Sequence, residues 1–458
     1  MSTISSSSVQ SASASSLGNG IDVQGTVGSI MQAARRPEAL MQQQQTSLNT
    51  QSTALQSINS NLLDLQNKVQ ALTEFTGQLG ARTVTSSNNS LVTGTSDGSA
   101  ALTNHQIIVN NLATTSSFYT NTVTDGSTVL ATGSFDIAIN GTKTATITVN
   151  GTNNTLDGIA KTINAANAGV TANVIVDSSG ARLSLLSTTT GHAGEISVSN
   201  NIPGIPGSPA VPGVTFNQAV LGKDASLKVD GIDITVGSNS VKNVIAGITL
   251  NLQGADSGTT VNLGVTPDAS QSSAAIQSFV NSYNTAIKSV NAQFVFDPTS
   301  KTGQPLGGNS SLTLVQQQLY SAVTYATPDS NNGINSLSSL GITINNDGTL
   351  SINSAKLTTA LTSQNADVQN FFQAVGTGYA QKFTATAETM TDPTQGALSL
   401  EISGIGASVK SLQTSIDNFE SRMTSMQQNL LTQYSKIDAM LQQMPLIISQ
   451  INSQLGSI

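Results

Sequence analysis

Apolar residues recur at alternating spacings of three and four along residues 402–455, near the C-terminus. This is the a/d spacing of a coiled coil, in which each apolar position faces a neighbouring helix. The repeat predicts a long helix whose contact line, here called the C-terminal seam, includes Val409, Leu412, Ile416, Phe419, Met423, Met426 and Leu430. Pro445 lies inside the repeat. Because proline lacks an amide hydrogen and clashes with the preceding turn, we expect a kink or hinge near Met444.

A second repeat of the same kind lies near the N-terminus. Pro37 suits the first turn of a helix, where a missing amide hydrogen leaves no bond unmade. The contact line of that helix, the N-terminal seam, comprises Leu55, Ile58, Leu62, Leu65, Val69 and Leu72. Because the first helix leads into the middle of the chain and the last one returns from it, we expect the two to pair antiparallel as a stalk.

Between these helices the apolar period changes to two, which is typical of strands. Asn-Gly or Asp-Gly pairs at 140–141, 150–151 and 230–231 predict hairpin turns. A hairpin, a short helix and a strand over 135–176 are echoed over 227–252, with 240–246 in the place of the helix, which predicts two related modules. The prolines at 203–212 predict a linker between them. After Pro267 helical spacing returns, with a small hairpin at 342–352.

These patterns predict an α+β protein in which an antiparallel helical coiled-coil stalk, built from both chain ends, carries two β-rich head domains. We assign residues 1–38 and 440–458 to mobile terminal segments, 39–95 and 268–439 to the stalk, 96–134 and 216–267 to an inner head, and 135–215 to an outer head.

The composition argues against an enzyme. Charged residues make up 9% of the chain, against roughly 25% in ordinary soluble proteins. Two histidines and no cysteine leave little for acid–base catalysis, thiolate chemistry or zinc binding, so we expect no catalytic residue, no cofactor and no metal site. We expect His105 and His192 to be structural or solvent-facing, and Asp230 and Asp233 to be solvated carboxylates beside a turn.

Charge and polarity also argue against nucleic acid and membrane as partners. The net charge is −8 and the basic residues never cluster beyond Arg35 and Arg36, whereas a nucleic-acid surface needs many cations to displace counterions. The uncharged stretch 439–458 is interrupted by Gln, Ser, Asn and Pro, so we expect no membrane insertion. The first charged residue is Asp22, and a cleaved export signal, which would begin with positive charge, is not expected.

Two short apolar faces lie beyond the prolines that bound the stalk. Val27, Ile30 and Met31 precede Pro37, and the terminal face of Ile448, Ile451 and Leu455 follows Pro445. Since the stalk ends at those prolines, we expect neither face to find a core within the chain. Both are therefore candidate partner-binding surfaces.

Several segments resemble one bacterial family in the right order along the chain. Residues 20–23, 30–31 and 33–37, followed by a Gln-rich stretch, are similar to the N-terminal region of the flagellar filament cap family, also called flagellar hook-associated protein 2. Residues 341–342, 347–352 and 356–357 resemble its C-terminal region, and 135–199 resemble a module shared with flagellins and hook proteins.

The resemblance implies a structural cap at the distal end of the flagellar filament, which retains exported flagellin and promotes its folding and insertion. It implies a ring of five or six copies, and as partners flagellin, hook-associated junction proteins, a cytoplasmic export chaperone, and host mucin or surface receptors. It further implies secretion by the flagellar type III route, without a cleaved signal peptide, to the filament tip.

Two alternatives stay open at this point. One is another flagellar axial protein, either a hook–filament junction protein or a flagellin-like subunit. The other is a surface adhesin or fibre, which would share the Ser/Thr/Asn-rich, β-repetitive composition. Helical seams at both ends argue against a fibre, because fibres usually carry a single trimerisation coil.

Overall fold

The architecture is that of a computed structural model, which describes residues 21–74, 76–206, 211–299, 302–328 and 333–455. The helices are α1 Val23–Ala34, α2 Arg36–Gln70, α3 Leu156–Ala166, α4 Ala269–Asn291, α5 Ser310–Thr324, α6 Ser354–Ser363, α7 Asn365–Gln373, α8 Tyr379–Thr391 and α9 Ala397–Leu455. Side-chain caps begin several of them. Asp268, for example, accepts hydrogen bonds from the amides of Ser270 and Gln271 at the start of α4.

The helical domain has one apolar core, to which α2, α4, α5, α6, α7 and α8 and the start of α9 contribute. Aromatic rings fill its centre: Phe279 on α4 lies 5.6 Å from Phe383 and 6.1 Å from Tyr379, both on α8, in edge-to-face geometry. Two small hairpins, β16 Phe296–Asp297 with β17 Thr302–Gly303 and β18 Ile342–Ile344 with β19 Leu350–Ile352, complete this domain. The prediction for 342–352 is confirmed.

The two ends of the chain run antiparallel. The amide of Ile21 donates to Asp438 Oδ1 at 2.8 Å, and Gln45 Nε2 donates to Gln413 Oε1 at 2.7 Å. As the chain advances from Ile21 to Gln45, its bonding partner on α9 moves back from Asp438 to Gln413. The predicted antiparallel stalk is confirmed.

The inner head is a sandwich of two antiparallel sheets. One has the order β1-β15-β3-β11-β12 and the other the order β13-β14-β2. The strands are β1 Arg82–Ser86, β2 Val92–Ser96, β3 Asn104–Asn111, β11 Ala225–Val229, β12 Ile232–Val236, β13 Ser240–Ile245, β14 Ile248–Leu252 and β15 Asp256–Pro267.

The outer head also has two sheets, of order β10-β4-β8-β7 and β6-β5-β9, with α3 packed on them. The strands are β4 Thr115–Thr120, β5 Gly133–Ile139, β6 Thr142–Val149, β7 Val170–Asp177, β8 Gly180–Thr190, β9 Ile196–Ser199 and β10 Phe216–Val220. Phe135 and Phe216 meet in its core with ring centroids 4.8 Å apart. The α+β class, with two β-rich heads, is confirmed.

Two domain boundaries differ from the prediction. Strands β1 and β2, which were expected within the stalk range 39–95, pair with β15 and β14 of the inner head. Strands β4 and β10, both expected in the inner head, pair with each other, and β4 also pairs with β8 of the outer head. Strand pairing is non-local, so a strand's sheet cannot be read from its neighbours in sequence.

Three local predictions in the heads are wrong. Residues 240–245 form a strand instead of a helix, because their β-branched side chains pair with β14 and the segment is too short to nucleate a helix alone. Hairpins turn at 140–141 and 230–231, where φ is positive at both residues of each pair, whereas 150–151 leads into α3. Pro203, Pro206 and Pro212 are no linker between heads, since Ile202 and Val214 on either side pair through their backbones and are buried in the outer head; Pro209 lies outside the described residues.

Helix α9 does not end near Met444, where a kink or hinge was expected, but continues as helix through Pro445 to Leu455. Proline removes one helical hydrogen bond here, but the surrounding turn is exposed, so water can satisfy the freed carbonyl. Residues 440–455 are therefore helical, as are 23–34 in the other segment predicted to be mobile; residues 1–20 and 456–458 lie outside the described residues.

Candidate assembly surfaces

The N-terminal seam lies fully inside the helical domain. Its six side chains are buried and belong to the same apolar core as α4 and α8. The seam therefore contacts several helices and not α9 alone. A polar bond adds to the packing where Thr391, at the end of α8, donates to Gln66 Oε1 at 3.0 Å.

The C-terminal seam is less deeply covered. Ile416 and Phe419 are buried, Val409, Leu412, Met423 and Leu430 are half-buried, and Met426 is exposed. The Arg422 guanidinium lies 5.6 Å from the centre of the Phe419 ring and covers its face. Because α2 and then α1 cover this part of α9 in succession, instead of a ring of helices around it, the outer side of the seam stays accessible.

The N-terminal candidate surface, Val27, Ile30 and Met31, packs against another part of the same chain. Val27 and Met31 are buried, Ile30 is half-buried, and α1 packs along α9. Asp22 caps α1 by accepting a hydrogen bond from the amide of Gly25 at 2.9 Å. The expectation that this face finds no partner within the chain is wrong, because α1 continues along α9 beyond the break at Arg35 and uses α9 itself as that partner.

The terminal face on α9 has no such cover. Ile448, Ile451 and Leu455 are 52%, 49% and 66% exposed. The bond from Ile21 to Asp438 marks where the described N-terminal helix ends along α9, and α9 runs on to Leu455. Among the described residues none packs over these three side chains.

His105 makes two side-chain contacts at one end of the inner head. Its Nδ1 lies 2.6 Å from Asp230 Oδ2, and its Nε2 lies 2.9 Å from Thr103 Oγ1. Asp230 also accepts from the amide of Gln106 at 2.8 Å. The His105 ring, and then this amide, lower the pKa of Asp230 below its ordinary value. Asp230 is thus a paired carboxylate and not a freely solvated one, while exposed Asp233 lies 3.4 Å from Lys228 Nζ.

His192 lies in the junction between the heads. Its side chain is exposed, whereas its amide donates to Asp224 Oδ1 at 2.6 Å. Beside it, the Gly191 amide donates to the Thr114 carbonyl at 3.0 Å, and Thr190 Oγ1 donates to the Gly237 carbonyl at 2.6 Å. The loop at 190–192 therefore ties the outer head to the inner one through both backbone and side-chain groups.

Within the described ranges, no three His, Asp or Glu side chains come together as a metal site. No helix among these residues is long and apolar enough to span a bilayer.

Helix α8 was not predicted from the sequence. Its buried residues Tyr379, Ala380, Phe383, Ala387 and Met390 recur with helical spacing, which is a readable signal. Small side chains at 380 and 387 make that signal weak, yet they allow α8 to pack closely against α2.

Two protein-family models match this chain. The profile for the N-terminus of flagellar hook-associated protein 2 matches residues 19–116, and the profile for its C-terminus matches residues 222–445. The two matches leave the outer head between them.

Relatives that match over most of their length are also named flagellar hook-associated protein 2. The B-type flagellar hook-associated protein 2 of Pseudomonas aeruginosa is 30% identical over 432 residues, which cover 89% of this chain and 90% of the relative. The flagellar hook-associated protein 2 of Escherichia coli K12 is 27% identical over 94% of this chain and 95% of its own. A crystal structure of the D1-D2-D3 domains of the E. coli flagellar cap protein matches with a TM-score of 0.60 and 28% identity, covering 77% of this chain and 99% of that one.

Proposed function

This chain belongs to the flagellar hook-associated protein 2 family and is a flagellar filament cap protein, and we propose that it retains exported flagellin at the distal tip and promotes its folding and insertion. Membership of this family separates the chain from the flagellin, junction-protein and adhesin alternatives, since the relatives matched along most of its length are hook-associated protein 2 and cap proteins.

The terminal face is the observation that carries the proposed contact with the filament. It lies at the end of the α1–α9 arm, on the side away from the heads, where a subunit below the cap would meet it. Because these side chains are already about half covered, burying what remains contributes roughly 1–2 kcal/mol each before ordering costs. The exposed outer side of the C-terminal seam supplies a second strip for the same purpose.

The partners that we propose are flagellin, other copies of this chain in a closed ring of five or six, and the hook-associated junction proteins. Before export, a cytoplasmic chaperone would cover the terminal face, and the type III route would deliver the chain without cleavage. Host mucin or surface receptors would meet the heads, which lie at the other end of the molecule from the terminal face.

The paired side chains in the inner head have a structural role in this proposal. The contact between His105 and Asp230 holds the β11–β12 turn against β3, and Thr103 fixes the ring from its other side. We propose no catalytic step for them.

The test replaces Ile448, Ile451 and Leu455 together by Ser. We expect a folded protein that is unable to cap, so that flagellin appears in the medium unpolymerised and filaments are short or missing. Filament length by electron microscopy and flagellin in the culture supernatant are the two measurements.

A matched control replaces Gln443, Gln450 and Gln454, on another side of the same stretch of α9, by Ser. It changes helix propensity to a similar extent without removing apolar surface, so it should cap normally. Filaments of normal length from the apolar triple variant would rule out the terminal face as the contact.

A further inference from the structure

Val375, in the loop between α7 and α8, is 96% exposed. The loop turns at Gly376, whose φ of 80° places it in the left-handed region, and the Gly376 amide is held by Gln381 Oε1 at 2.7 Å. A β-branched apolar side chain is thus held outward on a fixed turn of the helical domain, where it contributes nothing to the core.

Two clefts lie along different faces of α8. The first, of about 470 Å³, has Val375 on its rim and also includes Phe372, Thr384 and Glu388. The second, of about 390 Å³, is lined by the buried side chains of Ala322 and Phe383 and is bordered by Lys382, while exposed Ala385 lies between the two clefts and lines both. We call them the Val375 cleft and the Lys382 cleft.

The clefts carry opposite charge. Lys382 and Glu388 are both exposed, and neither takes part in an ion pair identified among the described residues. They lie six positions apart on α8, which turns one from the other by about 120° around the helix axis. The two side chains therefore face different directions and cannot neutralise each other within one copy.

A closed ring needs a head-to-tail contact, in which two different patches of one chain meet on neighbouring copies. The α8 region offers such a pair: an apolar knob with a negative group on one face, and an apolar hollow with a positive group on another. We propose that Val375 of one copy inserts into the Lys382 cleft of the next, with Glu388 of the first facing Lys382 of the second. The proposal rests on the self-association in the proposed function and specifies which residues form the contact between neighbouring copies.

Charge reversal tests the pairing. Lys382→Glu or Glu388→Lys alone would place like charges against each other, and we expect the association constant of the full chain to fall roughly tenfold in sedimentation velocity. The double variant restores opposite charges and should recover most of the loss. Mixing the two single variants should also recover association, because each presents the complementary charge to the other; a ring of six can alternate them throughout, and a ring of five retains one like-charge contact.

Engineered cysteines test the geometry, since the chain has none of its own. Val375→Cys combined with Ser321→Cys, which lines the Lys382 cleft, should yield disulfide-linked species larger than dimers on a non-reducing gel. The matched control combines Val375→Cys with Leu40→Cys, an exposed site on α2, and should yield no such ladder.

The outcomes distinguish a failure of the proposed α8 contact from a failure of self-association as a whole. If the unmodified chain assembles but the reversals and the cysteine pair have no effect, the copies meet elsewhere and the α8 contact is overturned. If the unmodified chain stays monomeric at every concentration, self-association fails and both ideas fall, whereas the flagellin-retention assay still tests capping independently.

Discussion

The side-chain amide of Gln45 donates a 2.7 Å hydrogen bond to the side-chain oxygen of Gln413, joining two positions 368 residues apart in the chain. Residues 39–63 on the N-terminal side of the stalk contain no charged residue. Pairing of the two arms therefore depends on apolar packing and amide hydrogen bonds along this stretch. Unlike exposed ion pairs, such contacts are little weakened by salt.

Neighbouring leucines on α2 should behave very differently. Leu62 is fully buried in the helical core, whereas Leu63 is 40% exposed. We expect Leu62→Ala to lower the free energy of unfolding by about 2–5 kcal/mol, because it removes apolar contacts and leaves a cavity. Leu63→Ala should cost less than about 1 kcal/mol. Calorimetric unfolding of both variants measures the difference, and equal effects would contradict the orientation of α2.

The Tyr379 hydroxyl is buried without a hydrogen-bond partner among the described residues, and burial raises its pKa well above the ordinary value. An unsatisfied buried hydroxyl costs about 1–3 kcal/mol. We therefore expect Tyr379→Phe to leave thermal stability unchanged or to raise it. Tyr379→Leu, which also removes the aromatic contacts with Phe279 and Phe383, should lower it. A marked loss in the Phe variant would show that the hydroxyl has a partner, such as a bound water.

Acid should weaken the contact between Asp230 and His105. The pKa of Asp230 is lower in the folded chain than in the unfolded one, mainly through the His105 ring. Its stabilisation is therefore fully present above the unfolded value, about pH 4, and is lost as the pH falls through the folded value. Asp230→Asn keeps a residue that tolerates the positive φ of this turn. The stability difference between the unmodified chain and this variant should shrink as calorimetry is repeated from pH 7 down to pH 3; a constant difference would contradict the pairing.

Gly191 should tolerate no side chain. Its φ is 82°, and a Cβ there would lie 2.5 Å from Asp224 Oδ1 and 2.6 Å from Gly237 Cα. We expect Gly191→Ala to destabilise the head junction by about 2–4 kcal/mol, from backbone strain and displacement of the inner head. Gly151→Ala, at a site with open space around it, is the control and should be close to neutral. Limited proteolysis between the heads provides a second measurement.

Much of the local structure was determined by the sequence itself. The alternating three and four spacing was enough for α2 and α9, and the pairs at 140–141 and 230–231 were enough for two hairpins, because helix period and turn chemistry are local properties. The scarcity of histidine, cysteine and charged side chains is also evident from the sequence, since it concerns which side chains exist and not where they lie.

Tertiary structure decided what depends on distant residues. It placed Val27 and Met31 against α9 instead of leaving them free, made 240–245 a strand, and assigned β4 to the outer head. It also brought His105 to Asp230, 125 positions away, and set Lys382 and Glu388 on separate faces of α8, a helix that was not predicted from the sequence. Each outcome depends on which surface is buried against which, and the burial of apolar area is non-directional, so no local pattern specifies the partner.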